Sequence, residues 1–311
     1  MSAVVAVRRQ RIDSAAMVST ARGHDGGNAL RTLEQRGGAK IRLPRPAGDA
    51  LEAVLINTAG GLTGGDRIHW RCDAADATHL SVTTAASEKL YRAGDAEAMQ
   101  TGTLSVGAHA RLDWLPQETI VFDGARLRRR LEVDLAAGAT FLAVESLLFG
   151  RRAMRERVTT GAVRDDWRIR REGVLLHAEA LHIDAGRDLV PRSPAGFGGG
   201  EGADQGFGAQ LTAVLCAPDP GELQRLHAGV MRALSGTESG VQDEPRNGTD
   251  GATREGAPNA LPSASVRIGA SVMPGRLVLR ALARDGHALR QAVLPALRVL
   301  VGGDLPRVWY V

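Results

Sequence analysis

Lysine is almost missing from this chain: of its 39 basic residues only Lys40 and Lys89 are lysine, and the rest are arginine. A bias on that scale follows genome composition. The net charge of +4 and the pI of about 9.6 therefore say little about a nucleic-acid partner. Aromatics make up 4% of the residues and do not interleave with basic ones, so the stacking platform that single-stranded nucleic acid needs is absent. The two cysteines, Cys72 and Cys216, lie far apart and form no C-x-x-C, which argues against a disulfide framework and a thiolate zinc site. The eight histidines show no H-x-H or H-E-x-x-H pair, so a tight transition-metal site has no support. There is no G-x-S-x-G nucleophile elbow. No apolar run approaches the ~18 residues of a membrane span. Met1–Arg11 carries arginines but no apolar core of a signal peptide. A cytoplasmic protein without membrane or nucleic-acid partners is expected.

What the chain does have is glycine in an unusual arrangement. Gly60-Gly61-Leu62-Thr63-Gly64-Gly65-Asp66 follows the apolar run Ala53–Ile56 and precedes the alternating Arg67–Trp70. Four glycines in six residues imply a backbone path that a side chain would block, through positive φ or close approach. A phosphate loop is not indicated, because no Lys-Ser/Thr follows the last glycine and a strand, not a helix, comes next. The expected element is a tight glycine turn between two β-strands, with Asp66 fixing the turn or facing the interior.

Beyond this loop, short alternating runs recur. Ala77, Ala108 and Ala139 are spaced 31 residues apart, each at a turn between two strand-like runs. Such spacing predicts a mostly β fold, a helically wound stack of strands or hairpins whose neighbours bury each other's apolar faces. Val163–Arg170 and Val174–Ile183, joined by Arg171-Glu172-Gly173, predict a hairpin. About two α-helices are expected in the C-terminal part. One is capped by Asp219-Pro220 and ends at Gly236; the other covers His287–Val301 with Pro295 kinking it. Residues 1–29 have no periodicity and predict a disordered tail, and 236–263 a disordered insertion, within one domain over 30–311.

Paired carboxylates such as Glu118 with Asp123, or Glu145 with Glu179, would suit glycoside hydrolysis if their separation were right. A solvated strand face, with arginines near by, accounts for them better. Trp114-Leu115-Pro116-Gln117-Glu118-Thr119, running on to Arg126, places two carboxylates, Glu118 and Asp123, in an otherwise apolar run, where they must be paired or hydrated.

Several strings resemble the urease accessory protein UreD (UreH) family. They are the glycine loop, Thr83-Thr84 through Lys89-Leu90-Tyr91-Arg92, and Trp114–Thr119 running on to Phe122-Asp123-Gly124-Ala125-Arg126. Glu145 with Gly150-Arg151, Ser193–Gly198 and Leu305-Pro306-Arg307-Val308-Trp309 resemble it too, in the same order along the chain. The resemblance implies a non-enzymatic scaffold of mostly β fold. It would bind urease apoprotein subunits and, with UreF and through it the GTPase UreG, support nickel delivery to the urease active site. It also implies no tightly bound cofactor, with nickel in transit along a polar path. Weak oxygen ligands suit transit, and the candidates are Asp66, Thr83, Thr84, Glu145 and Glu179. The alternatives are a β-solenoid-like carbohydrate hydrolase or lyase, and a plain scaffold without a metal role.

Overall fold

The computed structural model describes residues 11–45, 48–151, 154, 156–189, 207–238 and 266–310. An antiparallel pair, β1 (Asp13–Arg22) and β2 (Asn28–Arg36), opens the fold, followed by the short β3 (Ala39–Arg42). From β4 (Leu51–Asn57) the chain winds through β5 (Arg67–Ala74), β6 (His79–Thr84), β7 (Glu88–Leu90), β8 (Ala98–Val106) and β9 (Arg111–Leu115). It continues through β10 (Thr119–Val121), β11 (Arg126–Leu135), β12 (Thr140–Phe149) and β13 (Ala162–Arg171). The strands of successive coils stack in parallel register. β4, β6, β9 and β12 build one sheet, β5, β8, β11 and β13 a second. β7, β10 and the end of β12 make a narrow third ladder at the corner between them. The helically wound stack read from the sequence is the fold observed.

β14 (Val174–Asp184) returns along β13 as the expected hairpin. β15 (Ala209–Cys216) then joins β12, and β16 (Val266–Met273) and β17 (Arg276–Ala283) extend the same sheet. The result is a seven-stranded sheet facing a ten-stranded one. Helices α1 (Pro220–Glu238) and α2 (Gly286–Val301) cover the outer face of the larger sheet.

Two apolar layers hold this together. Between the sheets lie Trp70, Leu104, Trp114, Leu127, Phe141 and Trp167; under the helices lie Leu211, Val230, Leu279, Val293, Leu297 and Trp309. Each such side chain contributes about 1.5–3 kcal/mol by leaving water. The capping signals act as expected. Asp219 accepts from Gly221 N and Glu222 N, Asp285 from Ala288 N, and Gly302 closes α2 at φ 82°. Helix α2 runs on through Pro295, and α1 continues past Gly236 to Glu238.

Three expectations need correction. The tail foreseen over 1–29 is strand from Asp13 onward, because β1 lies parallel to β5 and buries only small residues, Ala16 and Val18 among them. Such residues give little hydrophobic periodicity. The equal alanine spacing is off register: the left-handed residues of the stacked turns are Ala77, His109 and Gly138, at φ 54°, 55° and 71°. Ala77 N donates to Ala108 O and His109 N to Ala137 O, so each turn is bonded to the next coil. Finally, the glycine segment does join two strands, β4 and β5, but these lie in different sheets and do not pair. It carries the chain across from the ten-stranded sheet to the seven-stranded one, and Leu62 bridges to Leu90 of the following coil on the way. Residues 1–10, most of the expected insertion and Ser193–Gly198 lie outside the described residues.

Candidate functional site: a polar file through the stack

In β11 the inward positions read Leu127, Arg129, Leu131, Val133, Leu135; in β13 they read Val163, Asp165, Trp167, Ile169. A charge thus sits on the apolar face of each strand, and the parallel register sets Arg129 beside Asp165. Glu145 reaches the same point from β12 in the opposite sheet. Arg129 Nη1 donates to Glu145, and Arg129 Nη2 donates to Asp165 at 2.5 Å. Trp114 Nε1 donates to the other oxygen of Glu145 at 2.9 Å, and Trp167 Nε1 to Asp165 at 3.0 Å. The side chains of all three charged residues are at most 5% exposed. Burial pushes the Glu145 carboxyl up while the Arg129 charge pulls it back. Burial alone would make the Arg129 guanidinium easier to deprotonate, but the Asp165 and Glu145 charges win and keep it protonated.

From this cluster a cavity of about 190 Å³ opens between β13 and β14 of one sheet and β12, β15 and β17 of the other. Its lining includes Arg129, Glu145, Asp165, Trp167, Glu179 and Arg280. Glu179 stands on the edge strand β14, where Arg280 Nη2 donates to it at 2.5 Å. His177 Nε2, 3.7 Å away, and this guanidinium hold Glu179 below the usual carboxylate range. The imidazole is beyond hydrogen-bond reach, so the Arg280 contact is the stronger of the two.

The polar positions continue in the other direction, one or two per coil. Arg129 Nη1 lies 3.4 Å from Thr119 Oγ1, and Gln100 is the register partner of Arg129 on β8. Thr119 stands beside Glu88 in the corner ladder, and the Glu88 carboxylate accepts from Asn57 Nδ2 at 3.1 and 3.2 Å. The inner face of an otherwise apolar stack thus carries a file of polar groups from Asn57 to Glu179.

Of the five residues singled out from the sequence, the structure brings Glu145 and Glu179 together in one cavity. The others lie elsewhere. Asp66 is buried and accepts from Ile12 N at 3.0 Å and Thr63 N at 2.8 Å, which ties the glycine segment to the start of β1. Thr83 donates to Leu115 O; Thr84 donates to Ala86 O and accepts from Gln117 N. Neither threonine lines the cavity. The other paired carboxylates are engaged as well: Glu118 is held by Arg290, and Asp123 by Thr159, Thr160 and Arg92. Among the described residues, no three His, Cys, Asp or Glu side chains stand close enough to hold a metal ion by themselves.

The family model described as UreD urease accessory protein matches residues 14–310. The chain belongs to the UreD family. A urease accessory protein UreD of Rhizobium leguminosarum bv. viciae is 43% identical over 286 residues, covering 92% of this chain and 90% of that protein. Another, from R. leguminosarum bv. trifolii, is 41% identical and spans 99% of both chains. The UreD of a Chelativorans species is 42% identical over 92% of this chain and 89% of its own.

In this UreD-family chain Arg129, Asp165, Gln100 and Glu88 escaped the sequence reading, although each left a mark. A polar residue at the apolar parity of an alternating strand must be inside, and Leu127-x-Arg129-x-Leu131 and Val163-x-Asp165-x-Trp167 show it. The runs of adjacent arginines and aspartates hid that parity.

Glu88 makes a measurable prediction. Burial pushes its carboxyl up to about 7, against the pull of Asn57 and the Lys89 backbone. The native state therefore binds more protons than the unfolded chain between pH 4.5 and about 7, and stability falls as pH rises through that window. Glu88→Gln keeps the Asn57 partner and removes the charge. The variant should match the parent near pH 4.5 and exceed it at pH 8 by roughly 2–3 kcal/mol. Thermal melts across that range check it, and parallel curves for the two proteins would refute it.

Proposed function

We propose that this chain serves urease maturation in the cytoplasm as a non-catalytic scaffold. It binds apo-urease and, with UreF and the GTPase UreG, supports delivery of nickel to the urease active site. Family membership carries the urease assignment. The observation that supports a transit role is the cavity holding Glu145, Asp165 and Glu179 inside the stack. The acidic groups lining it are carboxylates, with the His177 imidazole near Glu179 alone, and carboxylate oxygens hold a divalent ion weakly and let it leave. Asp66, Thr83 and Thr84 serve the frame of that path, since their hydrogen bonds are committed to backbone groups.

A carbohydrate-cleaving enzyme needs an ionised carboxylate and a protonated one facing a cleft that admits a sugar. Here Glu145 is locked to Arg129 and Trp114 behind the wall of the sheets, and Glu118 to Arg290. Co-purification with urease subunits and a UreF homologue tests the scaffold role. The transit role is tested by nickel per urease active site in cells carrying Glu145→Gln or Glu179→Gln. Urease binding should persist in both while nickel content falls several-fold. Full nickel content in both variants would leave a scaffold without a metal path.

A further inference from the structure

Arg129 occupies the place where a cation would sit. Its guanidinium bridges the two most deeply buried carboxylates of the cavity, Glu145 and Asp165. Those two carboxylates together would offer a doubly negative, oxygen-only site, and they come from opposite sheets. With Arg129 in place the path from the Glu179 mouth ends at a wall of the protein's own charge.

A second observation shows that the guanidinium has somewhere else to go. Arg129 Nε, a donor, and Gln100 Oε1, an acceptor, are both buried and both without a hydrogen-bond partner among the described residues. The two side chains are complementary and stand on directly paired positions of β8 and β11, both pointing inward. Gln100 is 9% exposed, so its orphaned oxygen has little access to solvent. Two orphans that fit each other, one rung apart, mark a second arrangement in which both are satisfied.

We propose that Arg129 is a displaceable internal counter-ion. A divalent cation entering by Glu179 takes its place between Glu145 and Asp165, while the guanidinium moves onto Gln100 Oε1 towards Glu88. This rests on the transit role proposed above and adds to it a site, a selectivity and a means of release. The charges balance: two carboxylates meet two positive charges, and the arginine faces the carboxylate of the neighbouring coil. A monovalent ion brings no more charge than the guanidinium and must compete with a group tethered at high effective concentration, so the exchange favours divalent ions. The same tether returns Arg129 to the carboxylates and expels the ion, so the site passes cargo on instead of storing it.

Equilibrium dialysis of the chain co-purified with urease subunits, with Ni²⁺ alone as probe, tests the exchange. Arg129→Met removes the competitor and should bind Ni²⁺ on the order of ten- to a hundredfold tighter than the parent, the range of ordinary coupling between sites. Adding Asp165→Asn should cancel the gain. Gln100→Leu removes the alternative partner and leaves the charged cluster intact. It should fold, bind urease as the parent does and lower the nickel content of urease several-fold. If Arg129→Met does not fold, Gln100→Leu alone decides. Parent-like Ni²⁺ affinity in a folded Arg129→Met chain, or parent-like delivery by Gln100→Leu, overturns the exchange. The two proposals fail separately. Full nickel content with Glu145→Gln and Glu179→Gln removes the transit role. Lowered content there beside parent-like Arg129 and Gln100 variants removes only the exchange.

Discussion

Gly64→Ala should cost this protein a large share of its stability, and Gly64→Val still more. A Cβ at Gly64 would lie 2.2 Å from Ala96 O and 3.0 Å from Ala93 Cβ. Neither neighbour is free to retreat. Gly65 N donates to Glu97 O at 2.9 Å, and Met99 N to Asp66 O at 2.8 Å, so the two loops are stitched together on both sides of the overlap. Overpacking against side chains costs about 1–3 kcal/mol, and against pinned backbone the cost is about 3 kcal/mol or more, a large share of a domain's stability. The cause differs from the one the sequence suggests. Gly60, Gly61 and Gly65 have positive φ, at 76°, 148° and 90°, but Gly64 does not; its constraint is space. Gly60 supplies the contrast, since a Cβ there meets nothing within 4 Å. Gly60→Ala carries only the φ penalty, about 1 kcal/mol. Denaturant melts of the two alanine variants decide the matter, and equal losses would refute close approach as the constraint at Gly64.

The second large effect is expected at Arg290, which explains why the Trp114–Thr119 segment needs its acid. From α2, Arg290 Nη2 donates to Glu118 Oε1 at 2.8 Å and to Gln117 Oε1 at 2.5 Å, and Nη1 donates to Trp309 O at 3.0 Å. Its guanidinium also lies over the Trp309 ring at 5.4 Å. One side chain thus fastens the stack, the covering helix and the C-terminal 3₁₀ turn (Arg307–Tyr310) at the edge of a cleft of about 1130 Å³. The Glu118 side chain is 10% exposed, and Arg290→Met would leave it with only Ser87 as a side-chain partner among the described residues. Breaking a buried pair from one side costs about 3–5 kcal/mol. Adding Glu118→Gln should recover more than 1 kcal/mol, because the carboxylate left unpaired is the larger part of that cost. A single variant losing less than about 1 kcal/mol, or a double variant no better than the single, would show that the contact is a surface ornament.

Chain order and residue type were enough to find the stack, the β13–β14 hairpin and both helices. These depend on local periodicity, turn residues and caps, which act over a few residues and are written in sequence. The family resemblance was legible for a related reason: its glycine loop, Leu90–Arg92 and Phe122–Arg126 sit at corners where coils meet, and there backbone geometry restricts the residue. That Glu145 and Glu179 need partners was legible because a carboxylate at the end of an apolar strand is costly without one.

What the sequence left open was decided by register and by the meeting of separate sheets. Residues 13–22 look like a tail because a strand built on Ala and Ser earns its burial from β5, more than forty positions away. The hydrogen bonds that Asp66, Thr83 and Thr84 make to backbone groups are not visible in sequence, because partners such as Ile12 N, Leu115 O and Gln117 N come from distant parts of the chain. Arg129, Asp165 and Gln100 lie 29 and 36 positions apart along the chain, yet stand on adjacent rungs. Glu145 joins them only because a second sheet faces the first. The sequence alone determined that this chain winds into stacked coils and belongs with the UreD proteins. Only the tertiary structure could place a buried arginine between two carboxylates, because the winding, and not proximity in sequence, sets which inward-facing charges meet in the low-dielectric interior.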